Sequence, residues 1–129
     1  MVVYYGIDAF KPLKNAVLTQ GTFDGVHLGH QKILRTLINE AQKDSGESVV
    51  LTFFPHPRMV LFPDDHQVKL IDTMDEKISL MEQFGVQHLV IQEFNYELSR
   101  LSALEFVRNE LVTKLGMRKL IVGYDHRFG

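Results

Sequence analysis

The chain has 129 residues, of which 45% are apolar and 23% charged, with a formal net charge of −2 and no cysteine. That is one ordinary domain with enough apolar residues to build a core. The balance excludes a disulfide framework, thiolate catalysis and cysteine-ligated zinc, and lacks the overall basic character of a nucleic-acid binder. No apolar run approaches a membrane span, and the opening MVVYYGIDAF lacks the basic start and long apolar stretch of a signal peptide. A cytoplasmic protein with no nucleic-acid or membrane partner is expected.

In chain order, the first candidate strand is VVYY (2–5) and the second AVLTQ (16–20). A helix then begins near Leu28, with Ile33, Leu34, Leu37, Ile38 and Ala41 on one apolar stripe and Gly46 as its stop. SVVLTFF (48–54) reads as a buried strand. A second helix opens at Thr73, where Thr-Met-Asp-Glu fits a capping box. Met74, Ile78 and Met81 share its face, and Gly85 is placed to end it. QHLVIQ (87–92) is the next strand. A third helix opens with the capping-box pattern Ser-Ala-Leu-Glu (102–105), with Leu104, Val107, Leu111 and Leu115 on its inner face and Gly116 after it. KLIVG (119–123) is the last strand.

Alternation of strand and helix implies a Rossmann-like α/β fold, a parallel sheet with right-handed crossovers and flanking helices. Ligands in such sheets bind beyond the strands' carboxyl ends. Three unusual segments follow strands: GTFDGVHLGH (21–30), PHPR (55–58) and GYDHRFG (123–129). They are expected to converge on one edge. A natural domain rarely stops on such an edge, so the 129 residues read as one incomplete domain of a longer protein.

The glycines of GTFDGVHLGH suit a strand-to-helix loop that approaches a ligand closely. The first-turn N–H groups of the following helix favour anions, and the helix dipole adds roughly 0.3–1 kcal/mol for a negative group. His27 and His30, at i and i+3, lie on one side of that turn. The pair suits phosphate binding in nucleotidyl transfer, where the protein mainly positions reactants and stabilises charge. Metal chelation is the rival chemistry; its further histidines would be His56, His66, His88 or His126, and no third ligand has matching local spacing. An ordinary polar helix start is the third alternative. The string has neither GK[ST] nor GxGxxG, so it is neither a P-loop nor a dinucleotide fingerprint.

His27-Leu28-Gly29-His30 matches the HxGH signature of the nucleotidylyltransferase superfamily. The longer string from Gly21 to Gln31 closely resembles the bacterial FAD synthetases, the FMN adenylyltransferase modules of bifunctional riboflavin kinase/FAD synthetases. Thr52-Phe53-Phe54-Pro55-His56-Pro57-Arg58 and Val122-Gly123-Tyr124-Asp125-His126-Arg127-Phe128-Gly129 agree with the same family, and so does their spacing.

The resemblance implies transfer of AMP from ATP to FMN, giving FAD and pyrophosphate, with Mg²⁺. It implies that His27 and His30 hold the ATP phosphates and stabilise the transferring group. Gly21, Phe23 and Gly29 would line the ATP site, and Asp24 would shape the loop or the helix start. Phe53, Pro55, His56, Pro57, Asp125, Arg127 and Phe128 would serve the flavin and its phosphate. The plain alternatives are a helix-capping acid for Asp24, a stiff strand-exit loop for the prolines, and an exposed polar residue for Arg127. His126 stands where the family commonly has Phe, and Thr22 where it often has Asn. The family's later Ser/Thr-Arg motif and its C-terminal riboflavin kinase domain, the partner this resemblance implies, lie beyond residue 129. Another nucleotidylyltransferase with a different phosphorylated acceptor, and a non-catalytic flavin- or nucleotide-binding module, are the competing readings. FPDDH (62–66) reads as a turn, and Phe94, Tyr96 and Leu98 as packing anchors first and flavin neighbours second.

Overall fold

A computed structural model describes residues 1–23, 28–55, 57–64 and 73–122, with Leu28, Gly29 and Arg58 as backbone only. Five strands form one sheet: β1 (Val2–Tyr5), β2 (Ala16–Gln20), β3 (Glu47–Phe54), β4 (His88–Glu93) and β5 (Met117–Leu120). Their order is β1-β4-β3-β2-β5, and every neighbouring pair is parallel. This is the expected α/β fold. β2 is buried along its whole length between β3 and β5, which explains why AVLTQ reads as a continuous apolar run rather than an alternating one.

Alternating side chains send two sets of residues to opposite faces. On one face Val17, Val50, Leu89 and Ile91 meet Leu34, Leu37 and Ala41 of α1 (Leu28–Lys43) and Met81 of α3 (Met74–Phe84). On the other, Ala16, Leu18, Val49, Leu51 and Val90 meet Phe106, Leu111 and Leu115. The stripe read for α1 is the one buried. The capping box at Thr73 forms, with Thr73 Oγ1 accepting from the Glu76 N–H, and Gly85 ends α3 at φ 89°.

Two expectations shift. The last strand starts at Met117, two residues before KLIVG, and Gly123 lies outside the described residues. Its opening Arg118 and Lys119 hid it from an apolar-run reading; they are tolerated because β5 lies at the edge, with Arg118 at a register shift against β2. The third helix begins at the Ser102 capping box as α5 (Ala103–Glu105), then widens into a π-helix over Phe106–Lys114. The wider turn puts Phe106, five residues before Leu111, into the core at 8% exposure, while Leu104 faces out at 64%. The α-periodic stripe had placed Leu104 inside. Short helices α2 (Pro57–Leu61) and α4 (Tyr96–Ser99) fill stretches that read as loops.

Gly116 turns the chain from the π-helix into β5 at φ 77°. A Cβ there would collide with the backbone oxygen of Leu13 and come within 2.7 Å of its nitrogen. Gly116→Ala is therefore expected to lose about 2 kcal/mol or more, read as a lower denaturation midpoint; an unchanged midpoint would contradict this close packing. On the other face, Lys119 Nζ donates to Glu40 Oε2 and Asp44 Oδ2, both at 2.7 Å, and pins β5 to the end of α1. The hydrogen bond and charge of Lys119 hold the Glu40 carboxyl below its usual pKa. Its small, solvent-screened contribution is thus present above the unfolded carboxylate pKa and fades as pH falls.

Candidate functional site

β2 has β3 on one side and β5 on the other, while the chain runs from β2 to β3 first. The strand order therefore reverses direction at β2/β5, the kind of crevice where open α/β sheets bind ligands. GTFDGVHLGH leaves the carboxyl end of β2, PHPR that of β3, and residues 121–122 that of β5. Three adjacent strands thus end on one edge, where Gly21–Phe23, Pro55 and Ile121–Val122 leave them; residues 123–129, the whole of the third segment, lie outside the described residues. Asp24, His27, His56, Asp125, Arg127 and Phe128 lie outside the described residues.

The described part of the first segment is tightly built. The Gly21 N–H donates to the Leu51 carbonyl at 3.0 Å, extending the β2/β3 ladder by one bond. Phe23 then adopts φ 50°, uncommon for a bulky residue, yet its ring is only 3% exposed in the α1-side core. A Cβ on Gly21 would lie 3.1 Å from that ring, which accounts for a glycine here. His30 meets the other side of Phe23, with ring centroids 5.3 Å apart and planes at 62°. His30 lies in the first turn of the sixteen-residue α1, which carries no acidic side chain there. By contrast, the first turn of α3 holds Asp75 and Glu76. A first turn without acidic side chains suits an anion, and an imidazole N–H is a donor that an anion accepts from. Gly29 lies in the same turn.

Phe53 is held elsewhere. It belongs to the opposite face of the sheet, edge-on to Phe94 at 5.8 Å and tilted against Phe106 at 6.4 Å. Gly21, Phe23 and His30 thus come together, and Phe53 is not among them. Pro55 and Pro57 are half-buried at the β3 exit, Pro57 opening α2. Phe94 and Leu98 pack as anchors, whereas Tyr96 is exposed.

His88, one candidate for the metal reading, opens β4 at the opposite end of the sheet. Its Nε2 bonds Glu47 Oε1 at 2.9 Å and its Nδ1 bonds the Tyr4 hydroxyl at 3.1 Å. This histidine thus ties β1, β3 and β4 together. Among the described residues no three metal-ligating side chains gather. A groove of about 260 Å³ lies beside the β1 and β4 exits, lined by Asp8, Gln92 and Glu110 among others. Lys114 there pairs with Asp8 at 3.0 Å and Glu110 at 3.2 Å, and those hydrogen bonds hold its pKa above the ordinary lysine value.

Sequence reasoning assigned no role to the buried Thr19 and Thr52. Thr19 Oγ1 donates to the Ile121 carbonyl at 2.8 Å and Thr52 Oγ1 to the Thr22 carbonyl at 3.3 Å. Both hydroxyls sit where strands part, a position that only the sheet order reveals.

A five-stranded parallel sheet with flanking helices, its strand order reversing at β2/β5, defines an open α/β protein. Within that class, the profile of the FAD synthetase family matches residues 10–129, and the chain belongs to that family. It is 35% identical over 130 residues to the bifunctional riboflavin kinase/FMN adenylyltransferase of Buchnera aphidicola subsp. Schizaphis graminum, covering 100% of this chain and 41% of that protein. The proteins of the same name from Bacillus subtilis and Escherichia coli K12 are each 35% identical, over 114 and 118 residues, covering 88% and 92% of this chain and 36% and 37% of theirs. The chain spans about two fifths of the length of such relatives, at their N-terminal part. Among solved structures, a macrolide-efflux protein from Streptococcus pneumoniae superposes with a TM-score of 0.89 at 26% identity, over 100% of this chain and 50% of that one.

Proposed function

We propose that the polypeptide carrying this chain is an FMN adenylyltransferase of FAD biosynthesis, with residues 1–129 as part of its adenylyltransferase domain. The observation that carries this is His30 in an acid-free first turn of α1, edge-on to Phe23 just beyond the carboxyl end of β2. A phosphate oxygen of FMN attacks the α-phosphorus of ATP; a new P–O–P bond forms, the bond to the β-phosphate bridge breaks, and pyrophosphate leaves with FAD as product. His30, His27 and the first-turn N–H groups hold the phosphates and stabilise charge on the transferring group. Gly21, Phe23 and Gly29 shape the ATP side, with Asp24 in the same loop. Pro55, His56, Pro57, Asp125, Arg127 and Phe128 serve the flavin side, and Phe53 supports them from the core.

Mg²⁺ fits as a companion of ATP, because substrate phosphates supply most of its ligands in such sites and no protein cage is required. When bound it neutralises phosphate charge. The partner is a C-terminal riboflavin kinase domain, as named in the relatives, and the working compartment is the cytoplasm.

The test is FAD production from FMN and MgATP, followed by chromatography, with the full-length polypeptide and this chain side by side. FAD from the full-length protein is expected. No FAD from it, with the protein folded, overturns the substrate assignment and points to another phosphorylated acceptor.

A further inference from the structure

The exits of β2 and β5 share one device. At β3/β2 the last backbone bond runs from Gly21 N–H to the Leu51 carbonyl at 3.0 Å. The next residue of β3, Thr52, then donates its hydroxyl to the Thr22 carbonyl. At β2/β5 the corresponding bond runs from Ile121 N–H to the Leu18 carbonyl at 2.8 Å. The next residue of β2, Thr19, then donates its hydroxyl to the Ile121 carbonyl. In each case a Leu-Thr pair supplies a backbone acceptor and then a side-chain donor.

The physical need is clear. Where strands diverge the ladder ends, and a carbonyl just beyond it loses its backbone partner. Thr19 and Thr52 are only 1% and 2% exposed, so each hydroxyl reaches its half-buried partner carbonyl from within the core. Strand alternation sends both to the α1 face, alongside Val17 and Val50 and towards the side where Phe23 and His30 pack. Valine would fill the same space and carry the same β-branching, so packing alone does not call for threonine at both places.

We infer that Thr52 and Thr19 are positioning residues for nucleotidyl transfer, each fixing the backbone at the start of one site loop. Thr52 sets the path of the β2 exit towards His30, and Thr19 sets the β5 exit. This rests on the functional reading above, which gives the first exit to ATP and the second to the flavin. Neither threonine touches the reacting atoms; each acts through the backbone it holds.

The test uses Thr52→Val and Thr19→Val in the full-length polypeptide, with Thr52→Ser and Thr19→Ser as hydroxyl-restoring variants. Rates of FAD formation are measured with MgATP and FMN varied separately. Thr52→Val is expected to raise KM for MgATP about tenfold, with KM for FMN held within about twofold. Thr19→Val is expected to do the reverse, and both serine variants to return to within about twofold of the parent. A merely structural role would lower stability without this split. Valine variants with parental KM values, or serine variants as impaired as valine, overturn the inference. Amide hydrogen exchange is followed in parallel on segments 20–23 and 119–122. If the parent makes no FAD, the functional reading fails. The anchoring is then judged by exchange alone: faster exchange in segment 20–23 for Thr52→Val and in 119–122 for Thr19→Val sustains it, and unchanged exchange overturns it.

Discussion

His30→Ala in the full-length polypeptide is expected to lower FAD formation by about 10²–10³-fold, the usual cost of removing one preorganised donor from developing charge. The imidazole is half-buried at the start of α1, edge-on to the Phe23 ring. Truncating a half-buried side chain at a helix start is expected to cost about 1 kcal/mol of stability. Rate and stability thus separate: a large fall in turnover with a nearly unchanged denaturation midpoint. His27→Ala should act alike, on the strength of the HxGH spacing. Riboflavin phosphorylation, which the proposed reading gives to a separate kinase domain, provides the internal control. A mutant pair that makes FAD at near-parental rates would remove the phosphate-site assignment.

Phe23→Ala should show the opposite balance. The ring fills a site enclosed by Gly21, His30 and the α1-side core, so its loss is expected to cost about 3–5 kcal/mol through transfer and cavity terms. Alanine relieves none of the backbone strain at φ 50°. FAD formation should also fall, because His30 loses the surface that orients it. Phe23→Leu should recover much of the stability by refilling the volume, without restoring an aromatic edge for the imidazole. The measurements are denaturation midpoint and turnover on the same samples. A Phe23→Ala protein with parental stability would contradict the buried placement, and one with parental turnover would detach His30 orientation from the ring.

Together these variants assign different tasks to neighbouring residues. On the proposed reading, His30 acts on substrate, Phe23 holds it there, and the threonines aim the loops. The close approach at Gly21 fits the same division, since any side chain would push on the Phe23 ring and through it on His30.

Much of this was legible in the linear chain because its causes are local. The capping boxes at Thr73 and Ser102 involve groups three residues apart, and the left-handed stop at Gly85 needs only the absence of a Cβ. The α1 stripe follows from 3.6-residue periodicity, and the HxGH placement from a strand-loop-helix pattern. Other features depended on distant partners. Leu104 and Phe106 exchanged places because the π-helix changed the angular step that the pattern assumed. Phe53 joined the far face because strand parity and its partners Phe94 and Phe106 decide its side. β5 was read too late in the chain, at 119–123 rather than Met117–Leu120, because Arg118 breaks its apolar opening at an edge position. By itself, the sequence determined the main strands and helices, their order and the residue types at the candidate site, since propensity, capping and periodicity act within a few residues. Tertiary structure alone decided that β2 lies between β3 and β5, that His30 rests on Phe23, and that two threonine hydroxyls meet the carbonyls of Thr22 and Ile121. The threonine contacts join residues far apart in the chain, and all of these arrangements exist only once the sheet has assembled.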